Sequence, residues 1–430
     1  MNTYKHSVYL DVSKCNGCTT CLRRCPTEAI RIRDNHAVIN QDRCIDCGEC
    51  IRVCPNKAKK AKCASLSEME RFKFNIALPA PTLYGQFENL DDVDYVLDGL
   101  LKLGFDDVFE VSAAAELVSA YTRNYLKENN VKKPAISSAC PVVLRLIGLR
   151  FPTLSENIIH MLPPMEVAAR LAREKALREH SELKASDIGV FFISPCPAKA
   201  SYVNNGFADY KSEVDVVVSI SDIYFSLLGA MKSSSDIPPL SSSGVIGIGW
   251  ATSGGEATAI FNESYLAADG IDNVIHVLDQ IEHESIPDLE FVELNACTGG
   301  CVGGVMTVQN PFIAKARLRG LKRYLPVSQN FLPDDKKNSV DEKFLFENLP
   351  AYQPISKLSD NMAESMRMMA EIGKLKEQLP GIDCGSCGAP NCRAFAVDVV
   401  KNCAKLEECP ILQYKNQNKV GETDDGKGAV

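Results

Sequence analysis

Two cysteine runs near the start constrain this chain more than any other feature. They read Cys15-x2-Cys18-x2-Cys21-x3-Cys25-Pro26 and Cys44-x2-Cys47-x2-Cys50-x3-Cys54-Pro55. Such short spacings let one tight loop aim three thiolates at a single cube of iron and sulfide. The fourth cysteine of each run, followed by proline, reaches across to the other cube. One 4Fe-4S cluster is therefore expected on Cys15, Cys18, Cys21 and Cys54, and a second on Cys44, Cys47, Cys50 and Cys25. Zinc ribbons use separated cysteine pairs instead. The chain holds 18 cysteines with no early apolar run of the secretory kind, so a reducing compartment, the cytoplasm, is expected. No apolar stretch approaches the length of a membrane span.

Over its whole length this segment resembles the bacterial two-cluster ferredoxins, which implies electron transfer. Residues 1–62 carry 12 Lys+Arg against 6 Asp+Glu, a net +6, which leaves −14 for the remainder of a chain whose total is −8. Part of that excess offsets the negative charge of thiolate-bound clusters. It also suits acidic redox partners such as soluble ferredoxins. Nucleic acid is not expected, because the rest of the chain is acidic and no basic-aromatic pattern stands out.

With 430 residues, 45% of them hydrophobic, the chain has room for several domains with full cores. The fold class expected is α/β multidomain. A ferredoxin-like α+β two-cluster domain spans 1–62, a larger α/β domain 63–375, a small helical 4Fe-4S domain 376–412, and a disordered tail 413–430. Short strands are expected at Ser7–Leu10, Ile30–Ile32 and Ala37–Ile39. In the α/β region apolar runs alternate with amphipathic stretches. Strands are expected at Phe72–Leu78, Ala135–Ser137, Ile188–Ser194, Val214–Ile220, Val245–Gly249, Val274–Leu278 and Leu289–Leu294, and helices at Ala113–Lys127 and Met165–Leu177. Met362, Met366 and Met369 recur at helical spacing and read as a packing stripe. Gly247 and Gly249 lack a dinucleotide-binding spacing and read as a loop lining a buried cofactor; Trp250 reads as core and His36 as exposed.

The α/β region places four further cysteines just after apolar runs. Cys140 follows Ala135-Ile-Ser-Ser-Ala, Cys196 follows Val190-Phe-Phe-Ile-Ser-Pro, and Cys297 and Cys301 follow Phe291-Val-Glu-Leu-Asn-Ala. Ligands in open α/β sheets sit beyond the carboxyl ends of the strands. Three such ends delivering cysteine would gather four thiolates, enough for one cubane. Glycines 299, 300, 303 and 304 allow close backbone approach to a bulky group.

Here, across about residues 70–375, the chain resembles the iron-only (iron-iron) hydrogenases. Ala139-Cys140-Pro141, Pro195-Cys196-Pro-Ala-Lys199 and Cys297-Thr-Gly-Gly-Cys301 match that family's three cluster motifs in order. The resemblance implies an active-site cubane on Cys140, Cys196, Cys297 and Cys301. It also implies a two-iron subsite with CO, CN and a bridging dithiolate attached through Cys301, and a hydrogen bond from Lys199 to a cyanide. Catalytically fast members carry a proton-relaying cysteine where this chain has Ala139, and a methyl group moves no proton. Ser194 and Asn295 replace two usual methionines, Val305-Met306 alters the glycine run, and Tyr202 stands where a glutamate is usual. The alanine and the altered run are features of the sensory branch. The resemblance therefore implies slow reversible H2 oxidation and proton reduction, used to sense H2 or redox state. Sensory relatives usually carry a PAS domain beyond the last cluster, so output here is expected through a signalling partner or a redox signal. Hydrogenase maturases are implied for cofactor insertion. The alternative is a non-catalytic electron-transfer protein with 4Fe-4S clusters alone.

Cys384-x2-Cys387-x4-Cys392-x16-Cys409-Pro410 supplies a fourth set. It resembles a small 4Fe-4S domain of electron-transport complexes that also follows the catalytic domain of sensory hydrogenases. Arg393–Lys405 is expected to be a helix returning the chain to Cys409, with Cys403 as the other candidate for the fourth ligand. Zinc is the competing metal. Sixteen ligands for four clusters leave Cys63 and Cys403 as plain thiols.

Overall fold

The computed structural model describes residues 6–127, 131–206, 210–232, 237–286, 288–337, 339–348 and 358–421. Their contacts divide them into two bodies, one of residues 6–7, 45–48 and 61–348, the other of residues 8–44, 49–60 and 358–421. No helix among the described residues is long and apolar enough to cross a membrane.

The smaller body is built on the cysteine repeat. β1 (Val8–Leu10) pairs with β4 (Lys59–Ala61), and β2 (Ile30–Arg33) forms a hairpin with β3 (His36–Ile39). Asp34 and Asn35 both have positive φ, the backbone that a two-residue hairpin turn needs and that short polar side chains tolerate. His36 is half-buried rather than exposed, with its Nδ1 2.6 Å from the Asp34 carbonyl. The C-terminal cysteine segment belongs to this same body. The Ile32 N–H donates to the Gly388 carbonyl, and Arg31 and Arg33 both donate to the Asp398 carboxylate.

Two expectations for this segment need correction. Met362, Met366 and Met369 are 73%, 66% and 62% exposed, so that stripe faces solvent. The helix Met362–Gln378 packs through its other side, where Ile372 and Leu375 join Leu379 against Phe395. The chain from Pro410 to Gly421 is a helix rather than the start of a disordered tail. Proline is favoured at a helix start, and Ile411 and Leu412 pack against the local core. The remainder of that expected tail, 422–430, lies outside the described residues.

The larger body holds two parallel sheets. β5 (Phe74–Pro79), β6 (Asp107–Val108), β8 (Ile188–Ser194) and β9 (Val216–Ser219) run in the order β6-β5-β8-β9, and β7 (Ala135–Ile136), β10 (Tyr265–Asp269) and β11 (Phe291–Asn295) in the order β10-β11-β7. All seven residues of β8 are buried, as expected for a strand covered on both faces. Helices Val111–Tyr125 and Pro164–Glu179 pack together over the core.

Two expected strands are helical. Val274–Leu278 lies inside the helix Ile271–Glu282, whose Ile271, Val274, Leu278 and Ile281 follow a 3.6-residue period into the core. Val245–Gly249 is a short helix because the buried Glu116 carboxylate accepts from the Gly244 and Gly247 N–H groups and pins its first turn. β10 escapes notice because Leu-Ala-Ala-Asp is short and poor in β-branched residues.

Candidate metal centre

Each central cysteine sits where a strand ends. Cys140 follows β7 and caps the helix Pro141–Arg150; Cys196 follows β8 and caps the helix Pro197–Asn205. The Cys-Pro pairs thus have a local cause. The cysteine takes extended backbone at the cap, and proline fills the first helical position, where its missing N–H costs nothing. Helix N-termini also favour thiolate over thiol.

Cys297 and Cys301 flank a turn after β11 that is sewn to neighbouring loops. Ser253 N–H donates to the Gly299 carbonyl, Val302 N–H to Ala251, and Met306 N–H to Pro195. Gly300 has φ +92°, and a Cβ there would lie 2.4 Å from the Ser253 nitrogen. A Cβ on Gly304 would lie 2.3 Å from the Pro195 carbonyl oxygen. These two glycines let three loops close behind the thiols.

One cavity of about 70 Å³ is lined by Cys140, Cys196, Cys297 and Cys301 together. Ala139 and Lys199 line it too, as do Asn295, Trp250, Glu256 and Glu293. Trp250 is therefore a half-buried wall residue, with its indole N–H donating to Ser119 Oγ, rather than plain core. Ser194 Oγ accepts from the Cys196 N–H at 3.1 Å and holds that cap. The Lys199 ammonium stands 5.5 Å from the Phe192 ring centre.

Burial pushes the Cys196 thiol up to about 12, with Cys140 adding and Lys199 opposing. Cys301 is raised by the same burial, and Lys199 again leads the opposition. Buried thiols such as Cys196 and Cys301 become good ligands once a multiply charged cation arrives, since coordination strips their protons. Thr82 adds a buried wall hydroxyl with no hydrogen-bond partner. An inorganic group with thiolate and acceptor sites fits this set.

The acid pair carries no motif. Glu293 accepts from the Gly254 and Ala257 N–H groups and from the Asn295 amide. Glu256 accepts from Ser137 Oγ at 2.6 Å, and Ser137 Oγ accepts from the Ala139 N–H. Burial, and then the neighbouring Glu293, push the Glu256 carboxyl well above the usual carboxylate range. The one legible signal is Glu293 itself, an acid inside the apolar run Phe-Val-Glu-Leu.

In the smaller body, Cys15, Cys18, Cys21 and Cys54 line a second cavity of about 20 Å³. Cys25 and Cys50 pack against the small core around Leu22 and Ile30, and Cys44 belongs to the same body. Cys47 lies on the loop 45–48 of the larger body. Burial raises Cys387, and Cys409 and Cys384 are the nearby thiols that add to it. Cys392 and Cys409 share its core, whereas Cys403 is exposed. Cys63 in the larger body is half-buried with its Sγ 3.7 Å from Met306 Sδ.

Comparisons agree with this layout. The family model of the iron-only hydrogenase large subunit, C-terminal domain, matches residues 73–264 and 253–305. A 4Fe-4S dicluster domain model matches 7–55, and an Fe-S cluster model matches 379–411. An uncharacterized protein of Methanocaldococcus jannaschii is 39% identical over 66 residues, 14% of this chain. The chain spans about 30% of that relative's length. Among solved structures, an FeFe-hydrogenase described for oxygen inactivation through its H cluster 2Fe subcluster superposes with TM-score 0.52 at 16% identity, covering 67% of this chain and 98% of that one. An FeFe-hydrogenase variant from Chlamydomonas reinhardtii aligns with TM-score 0.46 at 16% identity, covering 65% and 90%. The first likeness establishes a hydrogenase-like α/β fold. With its model spanning more than half of the residues, this iron-sulfur protein belongs to the iron-only hydrogenase large-subunit family.

Proposed function

We propose that this chain is a low-turnover hydrogenase-type oxidoreductase, interconverting H2 with protons and electrons in order to sense H2 or redox state. Cys140, Cys196, Cys297 and Cys301 would hold a 4Fe-4S cubane, and Cys301 would also carry a two-iron subsite with CO, CN and a bridging dithiolate. The single observation that carries this reading is one cavity lined by all four thiols together with Lys199. When bound, that cofactor would supply reversible H2 cleavage.

The chain's own residues do the rest. Lys199, a compact cation on the cavity wall, would donate to an anionic diatomic ligand. Phe192, Val111 and Ala80 wall the cavity with apolar surface and limit water. Ala139 offers no proton carrier; Glu256, linked through Ser137 to the Ala139 backbone, is one ionisable group that the wall does supply. With no titratable side chain at position 139, proton delivery lacks one positioned carrier, which supports slow turnover over bulk production. Three further 4Fe-4S clusters, on the two ferredoxin sets and on Cys384, Cys387, Cys392 and Cys409, would relay electrons to a soluble ferredoxin or a signalling partner.

Infrared spectroscopy of the chain co-produced with hydrogenase maturases tests the reading. Bands of metal-bound carbonyl and cyanide are expected. Iron-replete protein without those bands would establish the non-catalytic electron carrier instead.

A further inference from the structure

The two cysteine runs repeat with an offset of 29 residues, which makes Ile30 and Lys59 counterparts. The structure respects the repeat closely. The Ala29 N–H donates to Cys25 Sγ at 3.2 Å, and the Ala58 N–H donates to Cys54 Sγ at 3.2 Å. Glu28 and Lys57 share the left-handed backbone, with φ of 53° and 51°. Ile30 opens β2 and Lys59 opens β4, and each is 2% exposed. One counterpart is apolar, as a core position demands. The other is an amine.

Ile30 packs with Cys25 and Cys50. Lys59 lines the cavity of Cys15, Cys18, Cys21 and Cys54, and its Nζ is buried with no hydrogen-bond acceptor in reach. An ammonium removed from water without a partner is costly, and long cations reach the surface when they can. Lys59 does not reach it. A 4Fe-4S cube with four thiolates carries charge 2− when oxidised and 3− when reduced, and it presents sulfide and thiolate acceptors.

We propose that Lys59 is a tuning residue for the first ferredoxin cluster, donating to its sulfur shell and raising its reduction potential. The proposal rests on Cys15, Cys18, Cys21 and Cys54 holding that cluster. Reduction adds one electron from a low-potential donor and takes the cube from 2− to 3−, with no bond made or broken. A fixed cation stabilises the 3− form more than the 2− form, whereas Ile30 offers the second cluster no such help.

The test is a dithionite titration of the full reconstituted chain, followed by electron paramagnetic resonance. The first cluster's signal is identified as the one altered by Cys18→Ser. Lys59→Ile, which copies the other repeat, is expected to shift that cluster's equilibrium at least tenfold toward the oxidised form, about 59 mV lower for one electron. Lys59→Gln should behave likewise, and Lys59→Arg should keep the parent value. An unmoved midpoint in Lys59→Ile or Lys59→Gln, with iron content intact, overturns the proposal. If the neutral variants lose the cluster while Lys59→Arg keeps it, the cation is still the required feature. Loss in Lys59→Arg too would reduce Lys59 to packing and overturn the idea. Failure of the underlying cluster reading is seen separately, as a Cys18→Ser spectrum identical to that of the parent.

Discussion

At the scale of single residues, the position with the most consequence is Ala139. Its methyl lines the cavity beside four thiols, and its N–H reaches Ser137, whose hydroxyl meets Glu256. A thiol there adds a titratable group to the chamber wall, which Glu256 also lines. Ala139→Cys is expected to raise H2-dependent reduction of a viologen dye by roughly 10²-fold, the low end of what one positioned proton carrier contributes. No gain in a fully metallated variant would mean that another step limits turnover. The cysteines were legible because their spacing is chemical necessity. Glu256 was not, since an isolated acid looks like any other until folding buries it, and only the apolar run around Glu293 hints at the pair.

At the scale of elements, the sequence was read well where one physical requirement dominates. β8 is an unbroken apolar run, and only a strand covered on both faces needs one. Val274–Leu278 misled because five apolar-rich residues are too few to separate a buried strand from one side of a helix. The deciding residues, Ile271 and Ile281, lie outside that window. The methionine stripe misled in the opposite sense: the period is helical, but a helix presents more than one such row, and the row with Ile372 is the one buried. The turn from Cys297 to Cys301 carries a sharper demand. Gly300→Ala must strain a φ of +92° and drive a methyl into the 252–253 backbone. It is expected to cost about 1–3 kcal/mol and to lower bound iron. Iron assay and thermal melting check this, and an unchanged iron content would show that the loop yields.

At the scale of the molecule, the C-terminal cysteine segment shares a body with the ferredoxin run although more than 300 residues separate them in sequence. Asp398 holds Arg31 through two hydrogen bonds and Arg33 through a third, and Asn391 donates to Glu28. Nothing in either segment alone announces that pairing; it takes the fold to bring Gly388 under Ile32, where a Cβ would sit 2.3 Å from the carbonyl oxygen. Asp398→Ala is expected to destabilise this body by about 2 kcal/mol, the range of hydrogen bonds to a charged group. A denaturant melt followed by visible cluster absorbance checks it, and an unshifted midpoint would make the pairs ornamental. The larger body has a different dependence. Its chamber takes thiols from positions 140, 196, 297 and 301, so a cube that clasped them would span intervals of 56 and 101 residues. Such a clasp denies the open chain much of its conformational freedom, as any long-range cross-link does. Iron scarcity would then act on the half-life of the polypeptide, through proteases that meet the unclasped form.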